Sequence, residues 1–158
     1  MPKEIRNPRT ESRSAGDALG LDSDFWIWAD ESSLAPMVWR DGEASQPPDL
    51  MERTALFGET IIRFAKKIPH TPENTRLLGQ LVGAGTSIGA NYCEADDSVS
   101  GKDFKKSIGT CRKESKETMF FLRMVAASEE NLKEEARKLW REAKELNLIF
   151  GSIWRKGS

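Results

Sequence analysis

Two pairs of acidic residues stand one helical turn apart and could together hold a metal ion. Glu94 and Asp97 form one pair, and Glu114 and Glu117 form the other. All-α enzymes that hydrolyse nucleoside triphosphates use such pairs to bind Mg²⁺, which grips the phosphates and activates water. Pairs of this kind also arise by chance in a chain with 25 acidic residues. A Mg²⁺-dependent phosphohydrolase is therefore our alternative hypothesis, not the leading one.

Other catalytic arrangements lack the residues that they need. The single histidine, His70, stands in a loop close to Pro72, which excludes the Glu-x-x-His pairs of a di-iron bundle and any Ser/His/Asp triad. The glycines of residues 83–89 do not have the spacing of a dinucleotide-binding loop. We therefore predict no catalytic residue, no metal site and no cofactor.

A row of basic residues follows one side of the third predicted helix at steps of three or four residues. Nucleic-acid phosphates are attracted to such a row without any reading of sequence, although a row like this is more often a solvated helix face. A weaker row on the fourth helix has acidic neighbours that can pair with it. We predict RNA or DNA contact by seven residues of the third helix: Lys102, Lys105, Lys106, Arg112, Lys113, Lys116 and Arg123.

Polar side chains recur on one face of the second predicted helix. Ser87, Asn91 and Glu94 lie four and then three residues apart, among apolar neighbours. Buried polar groups are costly unless they are hydrogen-bonded, and they often fix the register between helices. We interpret them as a structural polar core rather than a catalytic set, and its predicted members are Gln80, Ser87, Asn91, Glu94, Glu114 and Glu117.

Four glycines interrupt the same helix, at positions 79, 83, 85 and 89. Each weakens a helix by about 1 kcal/mol relative to alanine. Close approach of a neighbouring helix is the usual compensation, because a glycine has no Cβ. We therefore expect this helix to lie deep inside a tight helical assembly.

Apolar periodicity predicts four helices in residues 49–156 and no strands there. Asp49 is a candidate cap for the first helix and Ser128 for the fourth. Thr71 or the residues after it begin the second helix, and Ser100 or Gly101 precedes the third. The third and fourth helices carry apolar seams of average period 3.5, which is typical of knobs-into-holes packing. Short connectors between the helices predict an all-α fold, an antiparallel up-down-up-down four-helix bundle.

Residues 1–48 have a different character, and we predict a flexible, largely irregular acidic extension. Residues 1–50 contain five basic and ten acidic side chains, whereas the rest of the chain is mildly basic. Trp26, Trp28 and Trp39 lie in this extension. They could form a flap docked on the bundle, a partner-binding segment of an adaptor protein, or translated leader upstream of a start at Met51.

Composition places the chain among soluble cytoplasmic proteins. No stretch approaches the roughly 20 consecutive apolar residues that a membrane-spanning helix needs, and no apolar core like that of a signal peptide stands near the N-terminus. Cys93 and Cys111 lack the spacing of metal or redox motifs. We expect both to be reduced thiols that pack as small core residues.

The second helix and its surroundings resemble a known protein family. The motif Gln-Leu-x-x-Ala-x-x-Ser-Ile-x-Ala-Asn-x-x-Glu is present as Gln80, Leu81, Ala84, Ser87, Ile88, Ala90, Asn91 and Glu94. Ile68-Pro69 before it, and Lys102-Asp103-Phe104 and the run from Arg112 to Thr118 after it, fit the same pattern. As a set, these motifs are similar to the proteins encoded in intervening sequences of 23S ribosomal RNA genes, over about residues 49–156.

The resemblance implies more about fold and assembly than about activity. Members of that family are antiparallel four-helix bundles that tend to form pentameric rings. A related protein, the accessory variability determinant of diversity-generating retroelements, is a pentamer that binds nucleic acid and a reverse transcriptase. We therefore expect a non-enzymatic homo-oligomer, with RNA or DNA or a ribonucleoprotein as partner, and neither a membrane nor a small-molecule substrate.

Overall fold

Side chains that accept hydrogen bonds from free backbone N–H groups begin the first two helices. In the computed structural model, which describes residues 49–157, Asp49 accepts from the backbone N of Met51 at 3.3 Å. Helix α1, Leu50–Ala65, follows it. Thr71 caps helix α2, Pro72–Asp96, in the same way. The predicted cap Asp49 is confirmed, and of the possible starts of the second helix the structure has Thr71.

The third helix is preceded by Ser100, one of the two predicted residues, and the predicted cap of the fourth helix is wrong. Ser100 accepts a hydrogen bond at the start of helix α3, Gly101–Ser128. Ser128 is the last residue of α3 rather than the cap of the next helix, because its hydroxyl donates to a buried side chain of α2. A short 3₁₀ turn, Glu130–Leu132, then leads into helix α4, Lys133–Lys156.

The order of contacts along each pair of helices shows that neighbours run antiparallel. Thr54, early in α1, lies against Gly89, late in α2, while Ile61 lies against Gly85. Contacts between α3 and α4 have the same reversed order, Lys105 with Trp154 and Arg112 with Asn147. The prediction of an all-α antiparallel four-helix bundle is confirmed.

The apolar seams predicted for α3 and α4 form the core of the bundle. Their central positions are buried, and only the end positions Phe104 and Ile153 are half-buried. The fully buried side chains include Ile61 and Phe64 of α1, Leu81 and Ile88 of α2, Ile108 and Leu122 of α3, and Leu139, Leu146 and Phe150 of α4. Burial of a side chain of this size stabilises the fold by roughly 1.5–3 kcal/mol.

The glycines of α2 divide into two kinds. A Cβ on Gly85 would lie 2.9 Å from two carbons of Ile61, and one on Gly89 would lie 3.4 Å from Thr54 Oγ1, so both glycines permit close packing of α1 on α2. A Cβ on Gly79 or Gly83 would meet nothing within 4 Å. The expectation of a helix deep inside the bundle therefore holds for one side of α2 only.

The two cysteines also have different surroundings. Cys111 is buried, and burial raises the pKa of its thiol to about 12. Cys93 is exposed, with its Sγ 3.3 Å from Met51 Sδ, so the expectation that it packs in the core is wrong. None of the helices in residues 49–157 is long and apolar enough to span a membrane.

Candidate nucleic-acid interface

Exposed cations of α3 form the outer part of the predicted basic row. Lys102, Lys106 and Lys116 are exposed and form no ion pair with any residue from 49 to 157. Arg123, one turn before the end of α3, is exposed as well. These side chains are therefore positioned to meet an anion in solution.

The acidic residues of α3 follow another side of the helix. Asp103, Glu114 and Glu117 are separated by eleven and then three residues, close to whole helical turns. Lys113 is drawn toward them, since its Nζ lies 3.7 Å from Glu114 Oε1 and 3.6 Å from Glu117 Oε1. Lys106, three residues after Asp103, also lies beside these carboxylates, whereas the rest of the basic row lies farther around the helix.

Two residues of the basic row pack against a tryptophan of α4 instead of extending into solvent. Lys105 Nζ lies 4.6 Å from the centre of the Trp154 ring, and Arg112 Cζ lies 5.1 Å from it. The ring sits over Gly109, where an added Cβ would come within 3.4 Å of the indole Nε1. Gly109 thus lets the indole approach α3 between two cations, each worth about 0.5–2 kcal/mol as a cation–π contact.

A second tryptophan of α4 repeats this arrangement. Lys144 Nζ lies 5.7 Å from the centre of the Trp140 ring. Trp140 and Trp154 are 14 residues apart, nearly four whole turns, so they lie on the same side of α4 about 21 Å apart along its axis. At Trp154 that side of α4 packs against Lys105 and Arg112 of α3.

We call this surface the basic face. It combines exposed cations with two tryptophans that are each in contact with a cation. Its members are Lys102, Lys105, Lys106, Arg112, Lys116 and Arg123 of α3, and Trp140, Lys144, Trp154 and Arg155 of α4.

The first half of α4 contributes less positive charge. Lys133 Nζ lies 3.3 Å from Glu130 Oε1, and Arg137 Nη1 lies 3.0 Å from Glu134 Oε1. We expected acids and bases four residues apart to pair here, and these two cations pair instead at a spacing of three residues. The positive charge that α4 adds to the basic face therefore lies toward its C-terminal half.

Comparison with known proteins is consistent with the bundle. The family model for the 23S rRNA-intervening sequence protein matches residues 49–152. The chain belongs to the 23S rRNA-intervening sequence protein family. A crystal structure from Bacteroides thetaiotaomicron, described as a protein with unknown function from the S23 ribosomal protein family, is similar to this family member. It shares 25% sequence identity with a TM-score of 0.62, over 67% of this chain and 98% of that chain. No curated protein matches the sequence.

In this member of the intervening-sequence family, the polar motif of α2 does not form the predicted core network. Gln80 and Glu94 are exposed, so the prediction of a buried set is wrong for these two residues. Ser87 and Asn91 are half-buried, and the Asn91 amide donates to the backbone O of Ser87 at 2.8 Å, within the same helix. Helical spacing alone placed the motif on one face correctly, but that face is turned outward.

The carboxylates of the alternative metal hypothesis are not brought together. Among residues 49–157, no three His, Cys, Asp or Glu side chains form a group that could hold a metal ion. Glu94 and Asp97 are exposed, whereas Glu114 is half-buried. Burial, followed by the nearby Glu117 carboxylate, raises the pKa of Glu114. The geometry therefore gives no support to Mg²⁺-dependent hydrolysis at these residues.

A cluster of charged hydrogen bonds between the first and the last helix was not predicted. Arg53 of α1 donates to both carboxylate oxygens of Glu142, at 2.6 and 3.0 Å, and to Glu145 Oε2 at 2.6 Å. Glu142 is buried, with only 4% of its side chain exposed. Its position was a usable signal, because Glu142 falls three residues after Leu139 and four before Leu146, within the apolar seam of α4.

A second unpredicted network closes one end of the bundle. Asn74 is fully buried, and its amide donates to the backbone O of Pro69 at 3.0 Å and to Glu129 Oε1 at 2.6 Å. Its Oδ1 accepts from the hydroxyl of Ser128 at 2.7 Å. The signal in the sequence was a polar residue seven positions before Leu81, on the apolar side of α2.

The predictions for residues 1–48, including the tryptophan segment with Trp26, Trp28 and Trp39, concern residues outside the described part of the chain. The predicted boundary between residues 48 and 49 falls at their edge. The character of residues 1–48 and the position of this domain boundary therefore stay predictions.

Proposed function

We propose that this protein is a non-enzymatic homo-oligomer that binds nucleic acid through phosphate contacts on the basic face. The observation that carries the proposal is the clustering of exposed lysines and cation-bound tryptophans on one side of α3 and α4. Cations of this kind release counterions from a nucleic-acid backbone when they bind it, which supplies affinity without sequence readout.

Ribosomal RNA is the first ligand to test. The description of the matching family names 23S rRNA, and that of the similar structure names a ribosomal protein family. Neither description states what the proteins bind. We favour RNA over DNA on this ground alone, because the basic face offers phosphate contacts that either polymer would satisfy.

The homo-oligomeric part of the proposal is supported by the outward side of α2. Gly79 and Gly83 weaken the helix by about 1 kcal/mol each, and no contact within the described chain compensates for them. A helix of a second copy could approach closely at this side, where Gln80 and Glu94 are also exposed. The family resemblance implies five copies in a ring, which would repeat the basic face around the assembly.

The binding test compares two double variants that each remove two exposed lysines. Lys106→Gln with Lys116→Gln removes charge from the basic face, whereas Lys66→Gln with Lys138→Gln removes the same charge elsewhere. We expect only the first variant to lose affinity for a labelled RNA. The slope of log K against log salt should fall by about 0.7 for each lost contact with a single strand. Equal loss in both variants would mean that net charge, not the basic face, governs binding.

The assembly test uses a bulky side chain on the outward side of α2. Gly83→Leu has space within one chain, since nothing lies within 4 Å of the added Cβ. Sedimentation velocity of the native chain should give a single species larger than a monomer, and Gly83→Leu should shift it toward monomer with the helical content retained. A monomeric native protein at micromolar concentration would contradict the homo-oligomer.

A further inference from the structure

Two arginines from different helices converge on one glycine at the end of the basic face. A Cβ built on Gly151 would lie 3.4 Å from Arg155 Nη1 and 3.7 Å from Arg112 Nε. Gly151 is buried in α4, so both guanidinium groups border the small space that its missing side chain leaves. The two positive charges are therefore close enough for one anion to contact both.

Neither arginine has its charge balanced by the part of the chain that the structure describes. No carboxylate of residues 49–157 forms an ion pair with Arg112 or Arg155. The Nε of Arg112 is buried and has no hydrogen-bond acceptor within those residues. Like charges at short range repel, and a buried donor without an acceptor is unfavourable. An anion held between the two guanidinium groups would relieve their repulsion.

Arg112 is held in place before any ligand arrives. Its guanidinium lies against the Trp154 ring, at 5.1 Å from the ring centre. Its backbone O accepts a hydrogen bond of 2.8 Å from the Asn147 amide of α4. A cation fixed by its own packing loses little conformational entropy on binding, and this favours a defined contact over a diffuse one.

The helix dipole opposes an anion at this position but does not outweigh the two arginines. Arg155 lies in the last turn of α4, where the free carbonyl groups carry about half a negative charge. That half charge accounts for a cation at position 155, since cations are favourable at a helix C-terminus. It does not account for Arg112, which belongs to α3, and two full positive charges exceed it.

We propose that Arg112 and Arg155 together bind one phosphate group over Gly151. The proposal rests on the proposed function, because it names the contact that fixes the register of a nucleic-acid backbone on the basic face. Planar guanidinium forks match phosphate oxygens in pairs, whereas a lysine ammonium acts as a point charge. Lys102 and Lys106 supply general attraction, and the arginine pair supplies the positioned contact.

The decisive experiment replaces Arg155 in the full-length chain and measures RNA affinity at fixed salt. Arg155→Gln removes the charge, Arg155→Lys keeps the charge but removes the fork, and Lys156→Gln removes the neighbouring charge as a matched control. We expect Arg155→Gln to weaken binding about tenfold or more, as the loss of a charged hydrogen bond does. Arg155→Lys should show most of this loss, and Lys156→Gln should change affinity a few-fold at most.

Two other outcomes separate this proposal from the proposed function. If Arg155→Lys binds like the native chain, and Arg155→Gln and Lys156→Gln weaken binding equally, only diffuse charge acts and the phosphate site is wrong. If the native chain binds neither RNA nor DNA at low salt, the proposed function itself fails, and the nucleic-acid phosphate site fails with it.

Arg112→Gln should repeat the effect of Arg155→Gln. Arg155 is the primary test because it is exposed, so its replacement leaves the fold intact.

Inorganic phosphate, compared with chloride at the same ionic strength, identifies the source of the phosphate group. Failure of millimolar phosphate to displace RNA from the native chain would show that the site takes phosphate as part of the polymer, as we propose. If phosphate displaces RNA from the native chain but not from Arg155→Lys, the site takes free phosphate. This result would overturn the proposal that the site fixes the register of a nucleic-acid backbone.

Discussion

The guanidinium of Arg53 and the carboxylate of Glu142 are joined by two hydrogen bonds, of 2.6 and 3.0 Å, although 89 residues separate them in the chain. Glu145 accepts a third bond from the same guanidinium. A second ion pair, Lys67 with Glu135 at 2.8 Å, joins the turn that follows α1 to α4. Long charged side chains thus tie the short helix α1 to α4.

Loss of the Arg53 side chain should be strongly destabilising. Arg53→Met leaves Glu142 and Glu145 facing each other without a cation, and the removal of one partner from a buried ion pair costs about 3–5 kcal/mol. Arg53 is partly exposed, at 22%, so we expect a value near the lower end. Urea unfolding measures the change in free energy.

Arg63→Met is the matched control for this prediction. Arg63 forms an exposed pair with Glu59 on the same helix, and such pairs contribute less than about 1 kcal/mol. If the two substitutions lower the free energy of unfolding by similar amounts, the buried ion pair contributes no more to stability than the exposed one.

The buried amide of Asn74 should be the next most sensitive polar group. Asn74→Ala removes its hydrogen bonds with Pro69 O, Glu129 and Ser128, at a cost of about 1–3 kcal/mol. Gln80→Ala, at an exposed position of the same helix, should change stability by less than about 0.5 kcal/mol. Thermal unfolding followed by circular dichroism checks both, and a tolerant Asn74 would contradict the network.

Two glycines of α2 should respond to alanine in opposite directions. Gly85→Ala places a Cβ 2.9 Å from Ile61, so α1 must move away and stability should fall by about 1–3 kcal/mol. Gly83→Ala meets nothing within the chain and should stabilise the monomeric fold by about 0.5–1 kcal/mol. Denaturant unfolding, at protein concentrations too low for assembly, measures the free energy of unfolding of each variant. A stabilising Gly85→Ala would contradict the close packing of α1 on α2.

Glu114 should make the fold less stable as the pH rises. Its pKa is raised, first by burial and then by the Glu117 carboxylate, so the folded state holds this proton more tightly than the unfolded state does. Ionisation therefore costs stability above the ordinary pKa of a glutamate. Glu114→Gln should raise the free energy of unfolding at pH 7, and the gain should disappear as the pH falls below 4.

Glu59→Gln serves as the reference for that pH series. Glu59 is exposed and pairs only with Arg63 among the residues of the described bundle, so its replacement should have a small effect at every pH. A gain for Glu114→Gln that stays constant from pH 7 to pH 4 would show that the effect does not come from its charge.

The sequence predicted the helices well because their signals are local. The spacing of Ile108, Leu122 and their seam partners requires a buried side of α3, and Asp49, Thr71 and Ser100 are strong caps. Ser128 was misassigned because its hydroxyl has a partner on α2, 54 residues away, that outweighs its local capping preference.

The polar motif of α2 shows why the site was harder to predict. Helical periodicity states which residues share a face, but not whether that face is turned toward the other helices or away from them. Gln80 and Glu94 share the small-residue side, and only the positions of α1 and α3 make that side the outer one. Likewise, the contact of Trp154 with Arg112 depends on how α4 lies beside α3, which no local pattern contains.

The central claim is that the basic face binds nucleic-acid phosphates. It is tested most directly by a salt titration of RNA and DNA binding, with the full chain and with residues 49–158. The shorter chain should fold by itself, because the similar crystal structure consists almost wholly of the matched bundle. We predict that log K falls linearly with log salt for both chains.

The shorter chain should bind more tightly, since it lacks the acidic first 48 residues, which hold nine acidic and five basic side chains. Absence of binding by both chains at the lowest salt concentration would contradict the account.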